Sequence, residues 1–147
     1  MDPSSLIPDL SRPEVQAFAS GFPVTLAHFG TSSLLLFVGA TFYALLTPWK
    51  EIALIREGTA AASVSFGGML LGLGIPLAAS MSSSNSMLEI IVWGAATLVV
   101  QLLVFRIIDL ILTGLPSRIQ EGEVSAAVLL VFAKLASAVI LAAAMAG

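Results

Sequence analysis

The chain has 147 residues, 58% of them hydrophobic and 10% charged, with a net charge of −3 and no cysteine; its mean hydropathy is +1.03. So much apolar surface cannot be hidden in a soluble core of this size, and composition alone assigns the chain to a membrane. The missing cysteines exclude disulfides, thiolate metal sites and iron–sulfur clusters, the single histidine His28 excludes a bis-histidine haem within the chain, and an acidic balance without a Lys/Arg cluster speaks against nucleic acid as a partner.

Residues 1–21 read as a tail outside the membrane. Asp2, Asp9 and Glu14 replace the positive start of a secretory leader, and prolines at 3, 8 and 13 keep the chain extended. Ser11-Arg12-Pro13-Glu14 offers an N-cap with proline in the first turn, and a short helix through Val15, Phe18 and Ala19 is expected to lie on the membrane surface.

Four apolar runs follow, at residues 24–46, 60–81, 88–112 and 124–146. Each is about 20 to 25 residues long, enough at about 1.5 Å per residue to cross a hydrocarbon core of about 30 Å. The expected fold is an all-α membrane protein with four transmembrane helices. Nothing remains in the sequence to build the polar outer shell that buried soluble helices would need.

The runs come in pairs. Ile55-Arg56-Glu57-Gly58-Thr59-Ala60-Ala61-Ala62 matches Ile119-Gln120-Glu121-Gly122-Glu123-Val124-Ser125-Ala126, 64 positions later, and the match continues without a gap to Leu77-Ala78-Ala79-Ser80-Met81 against Leu141-Ala142-Ala143-Ala144-Met145. The chain therefore reads as two two-helix repeats, residues 22–81 and 88–147, joined by a turn at 82–87. An even number of spans per unit makes the repeats parallel. Lys50 and Arg56 flank the first connection, Arg106 and Arg118 the third, and Arg12 alone lies on the opposite side. The excess of cations then puts connections one and three in the cytoplasm, with both termini outside.

Thr47-Pro48-Trp49-Lys50-Glu51-Ile52-Ala53-Leu54-Ile55-Arg56-Glu57-Gly58, followed by Ala60-Ala61-Ala62 and Gly74-Ile75-Pro76-Leu77-Ala78, resembles the bacterial inner-membrane family catalogued as domain of unknown function 350, and Glu121-Gly122 through Ala143 is a weaker second copy. The resemblance covers roughly Leu34 to the C-terminus. It implies a small integral protein of two-helix repeats and brings no assigned activity. The chain departs from the family pattern at Thr59, where Asn is usual, and at Lys134, where lysine is not.

The repeated turn has a physical reading of its own. Pro48 stops the first span, Trp49 favours the interface, and residues 51–57 mix apolar and charged side chains as a short helix at headgroup level does. Gly58 and Gly122 turn the chain back, either as a left-handed cap or as a helix start. Glu57 and Glu121 fall near the start of the following helix, where its dipole favours an anion. Trp49, Arg56, Glu57, Gly58, Glu121 and Gly122 are thus the candidate cytoplasmic docking turn.

Within the second run, Ala61, Ser65, Gly68, Gly72, Pro76 and Ser80 recur every three or four residues. Gly68, Gly72 and Pro76 are the candidate helix-packing residues, and Gly72 to Pro76 is expected to kink or unwind the helix. Lys134 falls about 15 Å into the fourth run, near mid-membrane, where a charge costs on the order of 2.5 to 3.5 kcal/mol and needs a partner. Gln101, at similar depth, is its expected partner, and the two form the candidate intramembrane polar site. Asp109 is expected to pair locally with Arg106. A structural lysine, an ion, proton or ligand site, and a lysine paired with an acid of another subunit all fit. Because Leu70 holds the corresponding place in the first unit, a specialised site belongs in the second.

His28 and Glu89 start helices on the outer side as interfacial anchors or as a pair. No catalytic set, phosphate loop or metal spacing is present, so neither an enzyme nor a cofactor or metal is expected. The expected function is an accessory or scaffold subunit of a membrane complex or homo-oligomer, with the lipid bilayer, itself or other membrane proteins as partners. The alternative is a small oligomeric channel or transporter with its pathway near Lys134, Gln101 and the Gly72–Pro76 break.

Overall fold

The computed structural model describes residues 12–47 and 50–147, and these form helices joined by short turns: α1 (Pro13–Leu46), α2 (Glu51–Arg56), α3 (Ala60–Ser83), α4 (Met87–Ile111), α5 (Leu115–Gln120) and α6 (Val124–Ala146). α1, α3, α4 and α6 are long and apolar enough to cross a membrane. Pro48, Trp49 and residues 1–11 lie outside the described residues.

The short surface helix expected near residue 13 is instead the start of α1, which runs 34 residues without a break. At about 1.5 Å per residue it is about 51 Å long, well beyond a core of about 30 Å. Pro13 opens it where a missing N–H costs nothing. Pro23 is accommodated inside it.

Both halves have the same order of elements. α5 starts at 115 against 51 for α2, and α6 at 124 against 60 for α3, a shift of 64 in each case. Each short helix ends in the same hydrogen-bonded cap. Gly58 N–H bonds Ile55 O at 3.0 Å and Thr59 N–H bonds Leu54 O at 3.0 Å; Gly122 N–H bonds Ile119 O at 3.0 Å and Glu123 N–H bonds Arg118 O at 2.9 Å. With φ of 86° and 90°, both glycines are left-handed caps of the preceding helix. Glu57 and Glu121 hold its C-cap position.

α3 is the hub. It packs most extensively on α6 and also touches α1, α2, α4 and α5, whereas α6 makes at most slight contact with α1 and α2. Its small face is what permits this. A Cβ on Gly68 would lie 2.3 Å from a Val131 methyl, and one on Gly72 would lie 2.6 Å from the tip of Phe105. The helix does not unwind at Gly72–Pro76: α3 is continuous and Pro76 is buried within it. Packing on both sides holds the helix in place where the proline has removed one hydrogen bond.

On the far side, Ser86 caps α4. Its Oγ accepts from Glu89 N–H at 3.2 Å, while Glu89 Oε2 accepts from Asn85 N–H at 2.6 Å. This reciprocal cap is what Glu89 does at its helix start.

Candidate functional site: a buried charge cluster

Three helices bring charge together inside the bundle. Lys134 on α6 is 1% exposed. Its ammonium lies 2.9 Å from Asp109 Oδ1 on α4 and donates to the Tyr43 hydroxyl on α1 at 3.0 Å. It also sits 4.8 Å from the Tyr43 ring centre and 5.1 Å from that of Phe105. The two rings meet edge to face at 6.2 Å. The ammonium therefore has a counter-charge, a hydroxyl acceptor and two aromatic faces, which is how a lysine is retained in hydrocarbon.

The expected partners are corrected on both sides. Gln101, fully buried, donates from Nε2 to Ser137 Oγ at 3.1 Å, and Ser137 in turn donates to the Lys134 carbonyl at 2.7 Å. Gln101 is thus linked to the lysine's backbone, not to its ammonium. Asp109 pairs with Lys134 across the bundle instead of with Arg106 along its own helix. The cause is side-chain direction. Helical side chains lean toward their own N-terminus, so Lys134 reaches down toward the start of α6 while Asp109 reaches up from the last turn of α4. Their meeting point lies between the two Cα depths.

Glu51 is the site residue that the sequence reading missed. It opens α2, is 4% exposed, and its Oε1 accepts from Ser65 Oγ on α3 at 2.7 Å. It is close enough to act electrostatically on both Lys134 and Tyr43. A signal was available: the corresponding residue, Leu115, is apolar and equally buried at the start of α5. A charge placed where the other half buries a leucine points inward.

The candidate docking residues Arg56, Glu57, Gly58, Glu121 and Gly122 are all exposed. Alternation of the four spans puts them at one end of the bundle. There Arg118 and Glu123 form a two-pronged ion pair, with Arg118 Nε donating to Glu123 Oε2 at 2.6 Å. Glu123 also accepts from Ser125 Oγ at 2.7 Å. The Arg118 guanidinium foremost, then this hydroxyl, hold the Glu123 carboxyl down to about 2 from an ordinary 4.5. Among the described residues no group of three or more acidic, His or Cys side chains is arranged to hold a metal.

Four apolar spans around a buried lysine and its counter-charge define a multi-pass helical membrane protein. The chain belongs to the family described as Domain of Unknown Function (DUF350), which it matches over residues 17–145. It is 33% identical over 119 residues to the UPF0719 inner membrane protein YjfL of Escherichia coli (strain K12), covering 81% of this chain and 90% of that protein. It is also 30% identical over 83 residues to the UPF0719 transmembrane protein YshE of Bacillus subtilis (strain 168), covering 56% and 62%. No solved structure matches it. These relatives make it a multi-pass inner membrane protein of an uncharacterised family.

Proposed function

We propose that the protein is a self-assembling scaffold of the inner membrane, without catalysis of its own, whose copies interlock through their helices. In this reading the two halves are parallel duplicates, both termini lie outside, and the Glu-Gly turns face the cytoplasm, where Arg56, Glu57 and Glu121 are available to other proteins.

The observation that carries it is the unequal use of two corresponding grooves. A groove of about 510 Å³ lies open between α1, α2 and α3, and Ala40, Thr41, Ala44 and Phe66 line it. At the shift of 64, those positions correspond to Val104, Phe105, Ile108 and Leu130. In the second half that place is filled by α3, with Gly72 against Phe105 and Ala61 against Leu130. The counterpart of α3 is α6, and the matching ridge of α6, through Leu129, Phe132, Ala136 and Ile140, is exposed.

Volumes are exchanged in the complementary sense. Ala40, Thr41 and Ala44 make the open groove wider than its counterpart with Val104, Phe105 and Ile108, while Leu129 and Phe132 make the α6 ridge bulkier than Ser65 and Gly68 of α3. Close packing of such surfaces is what drives helix association in lipid. The ridge of α6 cannot enter its own chain's groove, because α6 is held against α3 and reaches α1 through the long Lys134 and Tyr43 side chains, not by helix packing. It fits the groove of a second copy. Contact between unlike surfaces is heterologous, and repetition about an axis along the membrane normal closes a ring.

The chain has no cysteine, so the test is clean. Thr41→Cys and Ala136→Cys, expressed as two separate chains, reproduce across copies the Gly72–Phe105 contact seen within one. Oxidation should give a disulfide dimer only when both chains are present. Absence of that dimer, or equal yield when Thr41→Cys is replaced by Leu45→Cys, which is 76% exposed, would overturn the reading.

A further inference from the structure

Two corresponding positions at the starts of α2 and α5 are buried alike, yet one is Glu51 and the other Leu115. Lys134 likewise stands where the first half has Leu70. Hydrocarbon therefore suffices at the first of these places, where Leu115 is buried, and buried ion pairs are as a rule no more stabilising than well-packed apolar residues of similar size. The charge cluster needs a reason other than the fold.

The surroundings narrow that reason. Lys134 touches Tyr43 from α1 and Asp109 from α4, while Glu51 from α2 and Arg106 from α4 act on it through space and α3 contributes Ser65 through Glu51. One buried ammonium is thus drawn toward two carboxylates, directly by Asp109 at 2.9 Å and through space by Glu51. A metal cation is disfavoured, since a lysine occupies the centre and no ligand set is present among the described residues. An anion would have to displace Asp109. A proton displaces nothing.

Glu51 also has a route to water. Together with Ala44, Lys50, Ile52 and Ala53 it walls a groove of about 300 Å³ at the end where the chain leaves the membrane. Buried ionisable groups inside membrane helices mark proton and ion sites as a rule, and here one carboxylate, Glu51, borders a groove while the other, Asp109, touches the ammonium.

We propose that Glu51, Lys134, Asp109 and Tyr43 form a proton-binding centre, loaded at Glu51 from the side on which α2 lies. A proton from water adds to a Glu51 oxygen and converts the carboxylate to the acid; no bond between heavy atoms changes. The Lys134 ammonium, until then under the influence of both carboxylates, keeps Asp109 alone as its counter-charge. Tyr43, which accepts from the ammonium and rests on Phe105, carries the redistribution to α1. The inference uses the correspondence between halves but not self-association, and stands if the ring does not form.

The test compares proton uptake by purified wild type in detergent, on stepping the pH down through the range where it stays folded, with that of Glu51→Leu and of the triple variant Glu51→Leu/Asp109→Leu/Lys134→Leu. The expected result is that the triple variant folds and that whichever variant folds loses about one bound proton per chain. Equal uptake by wild type and a folded variant would overturn the proposal. So would failure of the triple variant to fold, because the cluster would then serve the structure.

Discussion

Lys134 Nζ and Asp109 Oδ1 lie 2.9 Å apart across α4 and α6, although the two residues stand at very different distances from the same end of the bundle. Removing one partner leaves the other charged, buried and uncompensated. Asp109→Leu or Lys134→Leu alone should cost on the order of 3 to 5 kcal/mol, while the double variant should recover most of that loss. Thermal unfolding in detergent checks it through a double-mutant cycle, and additive losses would contradict a direct pair.

That pair shows what was legible in the sequence. The later spans and the turns are legible because hydropathy and the two Glu-Gly steps are local signals, whereas Pro13 opens α1 itself and not a separate surface helix. The partner of Lys134 is not legible in the same way, because Cα spacing does not show that a lysine side chain leans over the turn toward its N-terminus. Glu51 was read as a headgroup charge because α2 is only six residues long and its periodicity is ambiguous. Residue type alone predicts unwinding at Gly72–Pro76, whereas α3, packed against Phe105 and α6, stays one continuous helix.

Gly68 and Gly67 provide an internal control for the α3–α6 seam. A Cβ on Gly68 meets Val131 backed by its helix, whereas one on Gly67 has nothing within 4 Å. Gly68→Ala should destabilise the protein by about 1 to 3 kcal/mol through overpacking. Gly67→Ala should be neutral or slightly stabilising, because alanine is the better helix former. Unfolding midpoints of the two variants decide it, and equal midpoints would remove the seam from the account.

The caps at Gly58 and Gly122 should respond alike. Both have φ near 90°, a conformation that costs a side-chain-bearing residue about 1 to 2 kcal/mol. Gly58→Ala and Gly122→Ala should each lower stability by that amount, and Gly58→Asn by less, since asparagine tolerates the left-handed region.

The Arg118–Glu123 pair carries a pH dependence whose sign follows from its direction. The carboxyl of Glu123 is held at about 2, below an ordinary 4.5, so its contribution is present above 4.5 and is lost as the pH falls toward 2. Carboxyl-detected NMR should show Glu123 titrating near 2, and Arg118→Gln should move it back toward 4.5. A wild-type midpoint near 4.5 would mean that the pair does not form in solution.

The most direct measurement on the central claim is the native mass of particles released from lipid nanodiscs. Wild type should appear as one homo-oligomer, and Ala44→Trp, which fills the open groove, should appear as the monomer with its helix content unchanged. A monomeric wild type, or an oligomer that survives Ala44→Trp, would contradict assembly through the α1–α3 groove.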